Sequence, residues 1–92
     1  MAQPKRIAVL IRDRESEALR MALGLTLVDD QVDVYVLGRR LAAADEDAMN
    51  LELMGEVGIK VYSDQQGDPY AQYRPAAEIA RQLLDYDHVL PY

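Results

Sequence analysis

Ile7 to Ile11 is an unbroken apolar run of five residues set between the charged pairs Lys5-Arg6 and Arg12-Asp13. No other stretch narrows the choice of fold as much. A strand with one wet face alternates apolar and polar residues, whereas KRIAVLIR reads as a strand covered on both faces, the condition of a central strand in a parallel sheet. Covering both faces takes helices on both sides, so a layered α/β domain is already expected from this stretch.

The residues that follow fit that expectation. Asp13 is placed to cap a helix from about Arg14 to Val28, with Glu15 and Glu17 near its positive end. From Met21 to Val28 this helix is apolar almost all round, Thr26 being its one polar side chain. Such a surplus is either covered by a neighbouring helix or forms a subunit interface, and Met21, Leu25, Leu27 and Val28 are the candidates for the latter. Beyond Asp29-Asp30, Val32, Val34 and Val36 alternate with Asp33, Tyr35 and Leu37 up to Gly38, the period of a strand. The mixed second face places this strand nearer the sheet edge than the first. Arg39 to Ala44 is a connection or a ragged first turn. Asp45-Glu46-Asp47 then opens a helix to about Met54, which Gly55 and Gly58 stop, and Ile59 to Ser63 is a short third strand. Asp64 to Arg74 is an irregular stretch of 11 residues, longer than the about 4–6 typical of connections, and so the expected functional or flexible loop. Pro75 suits a first helical turn. Ala76, Ile79, Ala80, Leu83 and Leu84 then share one helical face, and His88 to Tyr92 is a final strand that Pro91 confines to an edge.

The chain of 92 residues therefore reads as one domain, a β-α-β-α-β-α-β unit with a four-stranded parallel sheet and right-handed crossovers. A domain of this size buries only about two-thirds of its unfolded surface, so self-association would add burial that the monomer lacks. With 10 Lys and Arg against 16 Asp and Glu, a formal charge of -6, the surface repels phosphate backbones and anionic lipid, which argues against direct nucleic-acid or membrane binding. The run Ile7 to Ile11 is too short for a signal-peptide core of about 7–15 residues, so a cytoplasmic location is expected. The sequence holds no cysteine, which removes disulfides, thiolate nucleophiles and cysteine-zinc sites together.

In open parallel sheets ligands gather beyond the carboxyl ends of the strands, here Asp13, Gly38 to Arg40, and the Ser63 to Tyr73 loop. Asp13, Ser63, Asp64, Tyr70 and Tyr73 are the candidate ligand-binding residues, although the same residues serve equally as ordinary caps and turns. The first strand is followed by Arg-Asp-Arg-Glu-Ser rather than a glycine-rich phosphate loop. Asp13 and Asp64 could supply two carboxylates of a receiver-type acidic site, but an adjacent acidic pair after the first strand and a late-strand lysine are both missing. His88 is the one histidine and Ser16 and Ser63 are the only serines. Neither a histidine metal centre nor a Gly-x-Ser-x-Gly elbow can be assembled, so no catalytic residue, metal ligand or cofactor is expected. Six tyrosines with no Phe or Trp is an unusual aromatic choice. Tyr70, Tyr73, Tyr86 and Tyr92 fall in loops or at the chain end, positions suited to an interface or to the rim of a core.

The order of an apolar first strand, ALRMALGL, VDVYVLG, LELMGEVGIKVYSD and EIARQLLDYDHVLPY resembles the DsrE/DsrF-like family, which includes the subunits of the Tus sulfur-relay complex. The resemblance implies a small flavodoxin-like three-layer α/β oligomer. In catalytic members of that family a cysteine in the loop after the third strand carries a persulfide. The matching stretch here, Ser63 to Gln66, offers serine, aspartate and two glutamines, and a hydroxyl cannot hold a transferable sulfur as a thiolate does. The expected role is thus a non-catalytic one, exercised as a homo-oligomer or beside related DsrE-like subunits. The competing expectation is a small-molecule-binding or enzymatic domain built on the strand-end loops.

Overall fold

The computed structural model describes residues 5–26, 31–38, 41 and 45–92, of which 45–47 by backbone alone. Among them the elements run β1 (Arg6–Ile11), α1 (Glu15–Thr26), β2 (Gln31–Val36), α2 (Asp45–Glu56), β3 (Lys60–Ser63), β4 (Gln72–Tyr73), α3 (Ala76–Leu83) and β5 (His88–Pro91). All strand pairs are parallel and the sheet order is β4-β3-β2-β1-β5.

The expected layered α/β architecture with a parallel sheet is present, but the sheet has five strands, not four. The added strand, β4, is two residues long and lies inside the long loop, with Tyr62 opposite Gln72 and Ser63 opposite Tyr73. Two residues cannot display a period, so nothing in the local pattern announces this edge. The position of β2 is a second correction. It occupies the middle of the sheet, and every residue from Val32 to Val36 is buried, including Asp33. Its mixed face is covered because Asp33 and Tyr35 find polar partners there, described below. As expected, β1 lies inside the sheet and Pro91 lies on an edge strand.

Alternation along the strands sorts the core into two layers. Ile7, Val9 and Ile11 of β1 and Val32, Val34 and Val36 of β2 face Ala18, Leu19 and Ala22 of α1 and Leu51 and Met54 of α2. On the opposite face, Ala8 and Tyr35 pack against Ile79 of α3. Of the apolar stripe expected on α3, Ile79 is buried and Leu83 half-buried, while Leu84 is 84% exposed because the helix ends at Leu83. Leu25 of α1, a candidate interface residue, packs half-buried against the larger core; Met21 is exposed; Leu27 and Val28 lie outside the described residues.

Helix α2 ends two residues later than expected, in a Schellman turn. Gly58 adopts φ 86°, its amide donates to the Gly55 carbonyl at 3.3 Å, and the Ile59 amide donates to the Met54 carbonyl at 2.9 Å. Met54 and Ile59 both belong to the core, so the turn that satisfies the last carbonyls also delivers the chain into β3. No helix among the described residues is long and apolar enough to cross a membrane.

Candidate functional site

The carboxyl ends of β2 and β3 bring together part of the expected site. The Gly38 amide donates to both oxygens of Asp64, at 2.9 and 3.1 Å, where Gly38 has φ 72°. The Asp64 amide returns a bond to the Val36 carbonyl at 3.3 Å. Ser63 is fully buried, and its Oγ accepts the Gln65 amide at 3.0 Å. Asp68, a residue the sequence reading passed over, is also buried, and its carboxylate accepts the amides of Leu41 at 3.0 Å and Tyr70 at 2.9 Å. Both aspartates are thus taken up by backbone donors: Asp64 and Asp68 tie the loop after β3 to Gly38 and Leu41 beyond β2, and Asp68 also closes a local turn onto Tyr70. Arg39 and Arg40 lie outside the described residues.

Tyr70 and Tyr73 are exposed on the loop that these carboxylates hold. Tyr70 borders an open depression of about 280 Å³, with Leu51, Ile59 and Val61 on its apolar side. Asp13 stands apart, at the end of β1, with β2 between it and β3, a separation of about 10 Å for two strand spacings. The sheet order reverses at β1, between β2 and β5, the position where doubly wound sheets open a crevice. Here the Tyr92 carbonyl accepts the amides of Asp13 and Arg14 at 3.1 and 3.0 Å, and the Arg14 guanidinium lies 5.3 Å from the Tyr92 ring. Tyr92 thus ties the ends of β5 and β1 together at that position.

A polar cluster that the sequence reading did not assemble lies on the α3 face, toward the amino ends of the strands. Tyr86 donates to Asp33 Oδ2 at 2.6 Å, and Asp33 Oδ1 accepts the Lys60 amide at 3.3 Å. With its own proton given to Asp33, Tyr86 can only accept from Tyr35 at 3.0 Å, and the single Tyr35 hydroxyl proton is shared between Tyr86 and Gln82 Oε1, 3.3 Å away. Tyr62 stacks on Tyr35 with ring centres 5.1 Å apart, and the Arg6 guanidinium sits 4.8 Å from the centre of the Tyr86 ring. Burial raises the Tyr86 phenol well above its ordinary pKa, and the hydrogen bond to the Asp33 carboxylate raises it further. Burial likewise raises Tyr35. Both phenols therefore stay protonated at neutral pH and act as hydrogen-bond donors, not as bases. The cluster borders a half-open hollow of about 190 Å³ lined almost wholly by polar side chains. Among the described residues no buried side-chain nitrogen or oxygen lacks a partner. The cluster is a closed brace between the turn after α3 and the sheet.

The outer side of α2 is built differently. Leu51 and Met54 face the core, while Met49, Leu53 and Val57 are 72%, 46% and 47% exposed at successive one-turn spacings. Val57 belongs to the same row because its amide still donates to the Leu53 carbonyl, at 3.1 Å. Glu52 and Glu56 are exposed alongside. Among the described residues no group of three or more acidic or histidine side chains could hold a metal ion. A scan against models of known protein families, a search of curated proteins and a search of solved structures each find no match to the chain.

Proposed function

We propose that this chain works by association, as a non-catalytic DsrE-like subunit of a homo- or hetero-oligomer, with α2 as the surface that docks. The observation that carries the reading is the exposed row Met49, Leu53, Val57 on a helix whose other side is already core. A helix apolar on two sides is the pattern of an element covered twice, once by its own sheet and once by a partner. Leu84 and Val89, also exposed, form no such row and are the scattered surface apolar residues that any small domain carries. The strand-end carboxylates support the same reading, since Asp64 and Asp68 are spent on backbone amides.

The family resemblance suggests the flavodoxin-like, three-layer description and an accessory place in sulfur relay, without the cysteine that would carry sulfur. The strand order turns back at β1 with β2 on one side and β5 on the other, unlike the 2-1-3-4-5 order of flavodoxin itself, so the description holds in the broad sense of a doubly wound sheet. A cytoplasmic home accords with this role.

Sedimentation of the purified chain tests the proposal. Assembly that Leu53→Asp abolishes, while Asp64→Ala leaves it intact, is the expected result. A chain that stays monomeric alone and with related subunits would discard it. The ligand-binding alternative draws on the depression beside Tyr70; it predicts that Tyr70→Ala removes a bound small molecule without changing mass.

A further inference from the structure

The twelve residues of α2 contain five acids, Asp45, Glu46, Asp47, Glu52 and Glu56, and no Lys or Arg. Exposed glutamates 52 and 56 run beside the apolar row of Met49, Leu53 and Val57. From this juxtaposition we infer that the partner seated on α2 is an amphipathic helix whose apolar stripe is flanked by Lys or Arg, rather than α2 of a second copy. The inference rests on the reading of α2 as the docking surface and specifies its occupant.

Three features select that occupant. The apolar row advances one turn at a time over about 12 Å, eight residues at the helical rise, and so offers the ridge that another helix receives between its own side chains. It is too narrow for the about 1,000 Å² of total burial that a stable interface needs unless a partner wraps its flanks, and the flank on one side carries the exposed Glu52 and Glu56. An isologous α2-to-α2 contact brings no cation to them. With the two-fold axis across the helices it also sets each glutamate row against its copy, like charges side by side. A basic flank on the partner neutralises the glutamates and covers the ridge in one arrangement, and the net charge of -6 speeds its approach.

The experiment uses the full chain, isotope-labelled for amide NMR, and two designed helical peptides about as long as α2 with one apolar stripe, one flanked by lysines and one by glutamates. The lysine peptide is expected to bind and to shift amides of residues 48–57. Binding should weaken by about tenfold or more with Glu52→Lys plus Glu56→Lys, a loss of at least about 1.4 kcal/mol. It should weaken comparably with Met49→Ser plus Leu53→Ser, which leaves the charge untouched, and hold with Asp85→Lys beyond α3. Equal loss with Asp85→Lys, or no loss with the serine pair, would reduce the effect to general attraction by an acidic protein and overturn the inference. Self-association that Leu53→Asp abolishes, with no binding of the lysine peptide, would overturn it while leaving the association proposal standing. Neither self-association nor peptide binding would remove both.

Discussion

Asp33 is a buried carboxylate in the middle of the central strand, and its shorter hydrogen bond comes from a tyrosine 53 residues away. Tyr86 donates to it at 2.6 Å, a charge-assisted bond of the stronger kind. Tyr86→Phe removes the donor and leaves Asp33 Oδ2 in the same place, so a loss of about 1–3 kcal/mol in urea unfolding is expected. Tyr35→Phe gives up bonds to neutral partners only and should cost less, about 0.5–1.5 kcal/mol. The same pair sets an alkaline limit. Because the folded chain raises the phenolic pKa of Tyr86 and Tyr35 above the ordinary 10.0, it retains protons that the unfolded chain releases. Stability from this source is complete below about pH 10 and is lost as pH rises beyond it. Unfolding measured at stepped pH should show that fall in the parent chain and a much shallower one in the double phenylalanine variant. Asp33 in VDVYV was visible as a polar residue in an apolar frame, and six tyrosines without a single Phe were visible too. What joins them is not legible, because the bond runs between a strand and a turn 53 residues apart in the chain. Asp13, Ser63 and Asp64 were sound as strand-end positions. Whether a strand-end carboxylate faces solvent or the backbone of a neighbouring loop, as Asp64 does at Gly38, depends on amide directions that composition does not encode.

At the scale of elements, local chemistry was a good guide wherever a segment was long enough to repeat. β1 is marked by its unbroken apolar run between charges, and β2 and α3 by their own periods. β4 has no period to show, and β2 was displaced toward an edge because the polar face of a strand looks the same whether water or a tyrosine covers it. The helix stops offer a direct check on this kind of reading. Gly58 ends α2 at φ 86° with open space where a Cβ would stand, so Gly58→Ala suffers from backbone strain alone, and a loss of about 1 kcal/mol is expected. Gly24 sits inside α1, also with open space around a Cβ and without a positive φ. Gly24→Ala should stabilise the chain by about 0.5–1 kcal/mol through helix propensity and a less mobile unfolded state. Opposite signs from one substitution at two glycines, read by thermal unfolding, is the expected pattern. Equal signs would mean that the turn after α2 is not held as described.

Across the whole molecule the two layers are unequal. Among the described residues thirteen buried side chains form the core on the α1 and α2 face, against three on the α3 face. Burial of apolar surface is the main stabilising contribution, so the α3 layer is held less by packing than by the tyrosine brace and by the chain on either side of it. Such a layer should open without the rest, since local openings follow regions of thin apolar contact. Native-state hydrogen exchange is then expected to protect the amides of β1 and β2 to the global limit and those of α3 well below it. Ile11→Val sharpens the test. It removes one methylene from the larger core, at a cost of about 0.5–1.5 kcal/mol, and Ile11 is fully buried there. If α3 opens independently, the variant lowers protection in β1 and β2 by that amount while exchange in α3 stays unchanged, because its opening leaves the α1 layer closed. A parallel fall in all three elements would instead show one cooperative unit. The brace of Tyr86, Tyr35 and Asp33 would then couple the layers as tightly as the larger core holds its own.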